Sequence, residues 1–329
     1  MNLLALDPAG LGPVEAAMPP DDSAVRRPPV PLTTAEQALA NIVSPVTWSQ
    51  FLSDYLGRRP LHVSGEADCF ASLADPAAVR ELIEAGVPWQ FRRMPEMYLD
   101  GYRVPHEDLV DTYTDMDGRE ARRPRLRRIR RLLEKGATVN AFGQESHFPG
   151  LAAMRRVFSE AFHAECEVAT FYSQQGHQGL APHYDCVDIF VLQLHGHKRW
   201  FVSSQRVDSP VVGHGGPTQY DDQASHTDIV LEPGDLLYFP RGTFHQAVAL
   251  SEQSLHATIA VKRPTYLDML MALGQTAAES DRIRHDLPLA HARAPRDTKD
   301  QLLDRLREAL DQPGFDEAFE RLLTLRSGH

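Results

Sequence analysis

The chain is poor in cysteine: only Cys69, Cys166 and Cys186 occur in 329 residues, at unrelated spacings. An odd, scattered set gives neither a disulfide framework nor a zinc pattern. It suits a reducing compartment, so a cytoplasmic location is expected. No run of eighteen apolar residues occurs, which excludes a membrane-spanning helix. The first residues, Met1-Asn2-Leu3-Leu4-Ala5-Leu6-Asp7-Pro8, carry no basic region ahead of a long apolar stretch, so a secretory signal is not expected. Positive charge is also in deficit: 34 Lys and Arg face 45 Asp and Glu, a formal net charge of −11. General affinity for nucleic acid needs the opposite balance. With 42% hydrophobic residues, the length allows one large core or two modest ones.

The basic charge that is present is concentrated between Arg119 and Lys135, in the run REARRPRLRRIRRLLEK. A solvated helix face accounts for such a run. A docking surface for an acidic partner, such as an acidic peptide or RNA, is the sharper alternative.

Residues 1–31 hold seven prolines and few large apolar groups, the pattern of a mobile or extended arm. Helical spacing begins at Thr33-Thr34, which can cap a helix whose stripe is Ala35, Ala38, Leu39 and Ile42. A short helix follows, with Ser44 and Pro45 at its start and Trp48, Phe51, Leu52, Tyr55 and Leu56 as its apolar set. Arg59–Val63 reads as a strand. A helix is expected over Asp75–Ala85, with Pro76 in its first turn and Gly86 at its end. Trp89–Val104 reads as paired strands with a tight turn at Asp100-Gly101. Helix is expected over Arg125–Glu134, strand over Ala137–Phe142, and an amphipathic helix over Leu151–Phe162. From Glu165 to Val261 short β-rich runs alternate with turns, as in an antiparallel sandwich or barrel. Helix returns after Pro264, then a polar linker near 287–297, then a last amphipathic segment from Leu302 to Leu323.

The chemistry concentrates in His183-Tyr184-Asp185 and His245. On a strand, alternate side chains share a face, so His183 and Asp185 would point into one cavity, and His245, after the turn at Pro240–Thr243, would close the third corner. Two imidazoles and a carboxylate leave three metal positions open, which suits Fe(II) binding a bidentate keto acid and O2. Taken alone, an H-x-D triplet is common and often structural.

The order around it is more specific. Pro182–Asp185 is followed by FVLQLHGHKRW (Phe190–Trp200), by LEPGDLLYFPRG (Leu231–Gly242) and by His245. Residues 178–261 resemble the cupin-like (JmjC-type) Fe(II)/2-oxoglutarate-dependent oxygenases, most of all the ribosomal oxygenase branch, with weaker similarity through 133–162 and 176–181. The resemblance implies a mostly β core with α additions, a double-stranded β-helix (cupin or jelly-roll) flanked by N-terminal helices and a C-terminal helical region. It implies an arm at 1–31, a catalytic domain at 32–263 with its core at 165–261, and a helical, dimer-forming region at 264–329, short for a complete winged helix.

It also implies roles. His183, Asp185 and His245 match the catalytic metal ligands, and Lys198 matches the basic residue that pairs with the distal carboxylate of 2-oxoglutarate. The cofactors implied are Fe(II), 2-oxoglutarate and O2. The branch's Asn and Tyr that help seat the keto acid fall, by spacing, at Ala169 and Phe171, so both hydrogen-bonding groups are missing. Tyr172, Ser173 and Thr258 are the compensating candidates. Of His195, His197 and His256, two read as surface or core histidines and His256 as a residue facing the cavity. Gln174–Gly179 reads as a connection or a substrate loop. Asp188 and Gln193 could meet substrate, Arg241 could pin an acidic group, and Cys186 packs. The implied activity is hydroxylation of a side chain in a ribosomal protein or in a precursor peptide of a natural-product pathway, by a homodimer paired through its helices. A non-oxidative cupin (an isomerase or small-molecule binder), a silent binding module, and a demethylase stay open as alternatives.

Overall fold

The computed structural model describes residues 33–91, 93–212, 219–278, 284, 286, 295–310, 316, 317 and 320. The proposed arm at 1–31 lies outside them, as do most of the 287–297 linker and the end of the last amphipathic segment. The described residues belong to one compact unit.

The elements run α1 (Thr34–Ile42), α2 (Trp48–Gln50, continued as a π turn over Phe51–Tyr55), β1 (Leu61–Val63), α3 (Pro76–Glu84), β2 (Glu96–Leu99), β3 (Tyr102–Arg103), β4 (Val110–Thr114) and β5 (Glu120–Pro124). Then come α4 (Leu126–Glu134), β6 (Thr138–Phe142), α5 (Pro149–Phe162), β7 (Glu165–Gln174), β8 (Asp188–His195), β9 (Lys198–Arg206), β10 (His226–Leu231) and β11 (Leu236–Phe239). The chain closes with β12 (Thr243–Ala249), β13 (Gln253–Lys262), α6 (Tyr266–Ala277) and α7 (Pro295–Leu310).

Local chemistry fixes the helix ends. Thr33 and Glu36 form a reciprocal capping box, each side chain accepting from the other's backbone N–H, at 3.2 and 2.8 Å. Asp75 caps α3 through the N–H of Ala78 at 2.8 Å, with Pro76 in the first turn. The cap of α2 is Thr47, paired with Gln50, rather than the expected Ser44-Pro45. The Asp100-Gly101 turn forms as expected, both residues having positive φ. The residues before it do not: Val87–Gln90 is a 3-10 turn and the strand starts only at Glu96.

Eight strands form one sheet in the order β1-β11-β8-β13-β7-β6-β2-β3, and three form a second, β10-β9-β12, with neighbouring strands antiparallel in both. The large sheet is buried on both faces in its middle, which is why β8 reads as the unbroken run IFVL. Phe190 and Leu192 point to the helices, and Ile189 and Val191 to the small sheet. On the helix side Phe51, Phe158, Phe190 and Tyr238 pack ring on ring, with Phe190 4.8 Å from Phe158 and 4.7 Å from Tyr238. Such contacts add about 0.5–1.5 kcal/mol per pair beyond area burial. Between the sheets Trp200, Val202, Leu237 and Phe239 close one part of the interior. The remainder of that interior is a cavity. No helix among the described residues is long and apolar enough to cross a membrane.

Candidate metal centre

The H-x-D segment is not a strand. His183 makes only an isolated bridge to His245, and Asp185 sits in the loop that follows. The two segments are nevertheless tied: the N–H of Gly242 donates to the Asp185 carbonyl at 2.8 Å, beside the paired main-chain bonds of His183 and His245. A register shift between Thr243 and His245 in the β12–β9 ladder marks a bulge, a device that re-aims a side chain. His245 thereby faces inward, where it is buried.

The result is one cluster. A donor atom from each of His183, Asp185 and His245 lies within 4.8 Å of the others, and His245 Nε2 is 3.6 Å from Asp185 Oδ2. Both imidazoles are oriented the same way. His183 Nδ1 donates to the carbonyl of Ala181 at 2.8 Å, and His245 Nδ1 donates to that of Thr243 at 3.0 Å. Each therefore carries its proton on Nδ1 and offers the Nε2 lone pair, the form that a metal needs. The Asp185 side chain is 39% exposed but lines the cavity, and burial still pushes its carboxyl above the ordinary range, against the pull of His183. Burial, then the neighbouring His183, pushes His245 well below its usual value. Three crowded donors, two of them imidazoles of fixed tautomer, fit a divalent ion.

The cavity behind the cluster measures about 350 Å³. Lys198 is in its wall, 3% exposed, with its Nζ donating to Ser173 Oγ at 2.9 Å. Burial alone pushes this amine down to about 7. Lys198 is four residues along β9 from Val202, which is paired with His245. That is roughly 13 Å of strand, enough to separate the two ends of a dicarboxylate.

The other expected positions divide. Thr258 lines the cavity, and Ser173 supports Lys198 from behind. Tyr172 is a correction: strand alternation turns it away from Ala169 and Phe171, into the core under the helices. His256 is buried in the cavity wall, while His195 and His197 are exposed. Asp188 is structural. It accepts from Arg263 Nε at 2.7 Å, the Arg241 N–H at 3.1 Å and the Tyr238 hydroxyl at 3.3 Å, so Arg241 is held there too. Gln193 spends its amide on the carbonyls of His195 and Gly196 and on Ser254. Within the 174–179 loop, His177 contacts Asp100 at 3.2 Å, and Gln178 donates to Gln246 at 3.1 Å.

Sequence reasoning missed the walls supplied by β6 and the mouth. Thr138, Asn140 and Phe142 line the cavity from β6; Arg93, Glu96, Tyr98 and Glu167 line its opening. Arg93 pairs with Glu167, and Glu96 takes the Tyr98 hydroxyl at 2.6 Å and Arg103 at 2.8 Å. The signal for β6 was a buried asparagine in TVNAF; nothing local announces the mouth. The basic run 119–135 folds as half strand, half helix. Its arginines are largely paired within the chain, Arg125 with Asp111 at 2.6 Å and Arg128 with Asp108 at 3.5 Å. That weakens the docking reading.

A double-stranded β-helix with two imidazoles and one carboxylate at the mouth of its barrel is the architecture of a metal-site cupin. Residues 146–269 match the family model of the JmjC domain. Relatives include the bifunctional lysine-specific demethylase and histidyl-hydroxylase NO66 of Aedes aegypti, 25% identical over 309 residues, covering 88% of this chain and 47% of that protein. The Culex quinquefasciatus protein of the same name is 31% identical over 205 residues, covering 57% and 32%. The chain thus spans about half the length, or less, of the curated relatives it matches. Among solved structures, Escherichia coli ycfD matches with a TM-score of 0.58 at 22% identity, over 84% of this chain and 71% of that one. The ribosomal oxygenase YcfD in complex with cobalt and 2-oxoglutarate matches with a TM-score of 0.55 at 20% identity, over 85% and 71%. These likenesses establish the JmjC/cupin fold.

Proposed function

We propose that the protein is an Fe(II)- and 2-oxoglutarate-dependent oxygenase that hydroxylates an amino-acid side chain within a peptide or protein. The observation that carries this reading is the convergence of His183, Asp185 and His245 beside a cavity whose wall holds the buried amine of Lys198. The names of the relatives, a histidyl-hydroxylase and a ribosomal oxygenase structure holding cobalt and 2-oxoglutarate, point the same way.

In this reading His183, Asp185 and His245 hold the iron on one face, and Lys198 takes the distal carboxylate of the keto acid. When bound, the metal supplies the oxidising chemistry: O2 and 2-oxoglutarate are consumed, succinate and CO2 leave, and one oxygen atom goes to a C–H bond. The chain's own residues set the geometry. The Ala181 and Thr243 carbonyls keep both imidazoles in their ligating tautomer. Ser173, braced by Thr138 at 3.1 Å, aims Lys198. Trp200, Phe239 and Ile189 keep the wall apolar, so a carboxylate on Lys198 is bound out of water, where the attraction is stronger. The opening, between Tyr98, Glu96 and Gln246, is where a substrate side chain enters.

Residues 33–263 form the catalytic domain in this proposal, and α6 and α7 pair two copies. Tyr266, Leu267, Leu270 and Met271 on α6, and Leu302, Leu303 and Leu310 on α7, are exposed apolar side chains that support such pairing. A cytoplasmic location fits the three free thiols. An anaerobic titration with Fe(II) and 2-oxoglutarate, followed by a succinate assay with and without candidate peptides, tests the reading. The expected result is a visible charge-transfer band and turnover; no metal binding and no succinate would refute it. Proteome mass spectrometry with and without the gene, searching for single-oxygen shifts, then finds the substrate.

A further inference from the structure

The pair of polar groups that related oxygenases carry on the strand before the H-x-D motif is replaced here by Ala169 and Phe171, on β7. Both line the cavity and neither can donate a hydrogen bond to a ligand. The strands on either side of β7 are β6 and β13, and their registers place one polar residue on each flank of the same position. Asn140 on β6 and His256 on β13 both pair with Phe171, forming the row Asn140–Phe171–His256 across three strands.

Both flanking side chains are buried, 7% and 1% exposed, and both line the cavity. Among the described residues, the side-chain oxygen of Asn140 and both ring nitrogens of His256 have no hydrogen-bond partner. Burying such groups unpaired is destabilising, so a fold that retains three of them around one cavity needs a reason. Nor is His256 loose: it stacks on Phe171 at 4.8 Å with an interplanar angle of 7°, and meets Trp200 edge to face at 5.3 Å. Phe171 thus serves as a platform for the imidazole. The next row along the strands is occupied by Ser173, the group that receives Lys198. Trp200, which touches His256, also lies 6.0 Å from His245. The row therefore stands between the metal cluster and the buried amine.

We propose that the co-substrate seat of this chain has moved off β7: Asn140 and His256 supply, from the neighbouring strands, the hydrogen bonds to 2-oxoglutarate that Ala169 and Phe171 cannot. This rests on the proposed reaction, and it assigns two residues beyond the metal ligands and Lys198. His256 acts as a neutral imidazole, because burial and then the Lys198 charge oppose its protonation. It then turns one ring N–H to the ligand, and Asn140, with its amide rotated to bring the NH2 into the cavity, donates beside it. Both donors meet carboxylate and keto oxygens, which only accept.

The test is calorimetric titration of the Co(II)-loaded full chain with 2-oxoglutarate, with Co(II) absorption as a separate reading of the metal site. Asn140→Leu and His256→Leu are each expected to weaken 2-oxoglutarate by about tenfold while leaving Co(II) affinity intact. His256→Gln, which keeps a donor and an acceptor, should retain most of the affinity. Unchanged 2-oxoglutarate affinity in both leucine variants overturns the proposal. Should one of them fail to fold and hold Co(II), the other decides alone by the same criterion. Wild-type protein that binds Co(II) but no 2-oxoglutarate would instead refute the proposed reaction, a result distinct from binding that the variants do not disturb.

Discussion

His183 and His245 grip each other through their main chains: the N–H of His245 donates to the His183 carbonyl at 2.8 Å, and the N–H of His183 returns the bond at 3.2 Å. Two ligands from segments some sixty residues apart in the sequence are thus fixed before any metal arrives. The centre should behave as preformed. Saturating Co(II), at about 100 times its Kd, should add ~2.7 kcal/mol of stability. That corresponds to a rise in Tm of roughly 5–11 °C for a domain of this size. His183→Ala or Asp185→Ala should abolish the shift, which differential scanning calorimetry reads directly.

Lys198 is costly where it stands, because a buried amine with one hydroxyl partner gives up its hydration. Lys198→Met should therefore leave the ligand-free protein as stable as the parent, or more so. It should also weaken 2-oxoglutarate by about a hundredfold, the loss of a charge-assisted contact in an apolar wall. A thermal melt and a binding isotherm on the same preparation check the two halves. Weak destabilisation with unaltered binding would remove Lys198 from the site.

The same residue sets a pH dependence. Its free amine is lowered to about 7 by burial, and a bound carboxylate raises it again. The charged form is the one that binds, so 2-oxoglutarate affinity should be greatest below pH 7. It should fall by up to about tenfold per unit as the pH rises above that value, until the pKa of the complex is reached. Binding in this range takes up a proton, so the measured heat should vary with the ionisation enthalpy of the buffer. In Lys198→Met both effects should vanish.

Asp188 separates structure from chemistry. Its carboxylate joins β8 to Arg263 after β13, to the Arg241 backbone and to Tyr238, which in turn accepts from the Gly57 N–H at 2.7 Å. Asp188→Ala should cost about 3 kcal/mol by leaving these groups unpaired. Activity per folded molecule should stay near that of the parent, as measured by succinate release after correction for the folded fraction. A large fall in turnover at full folding would place Asp188 in the substrate path.

The cluster of His183, Asp185 and His245 and the position of Lys198 in the cavity wall were legible in sequence because their identity and order are carried by short contiguous motifs. Their detailed backbone could not: an H-x-D triplet reads as a strand, yet it lies in a loop bridged only at His183. The wall was harder. Asn140 lines the cavity because β6 pairs with β7, a long-range fact that no window of residues contains. Tyr172 adjoins Phe171 in the sequence, yet the two-residue period of a strand sends neighbours to opposite faces. The helix of the basic run is legible over Arg125–Glu134, whereas the strand before it is not, because arginines suit exposed helix and exposed strand alike. What separates β5 from α4 is Pro124 and Arg125, where the chain turns.

The local fixing of both imidazoles has a consequence for what the centre will hold. Each ring is locked by a carbonyl two residues earlier in its own segment, and neither lock depends on which ion is present. A rigid set of two nitrogens and one oxygen ranks divalent ions by intrinsic affinity, with copper and nickel above iron. The chain therefore has little means of rejecting a competing ion. Under the proposed reaction its occupancy would follow the free-metal supply around it, and protein purified in ordinary buffers would carry a mixed population in which only the iron fraction turns over.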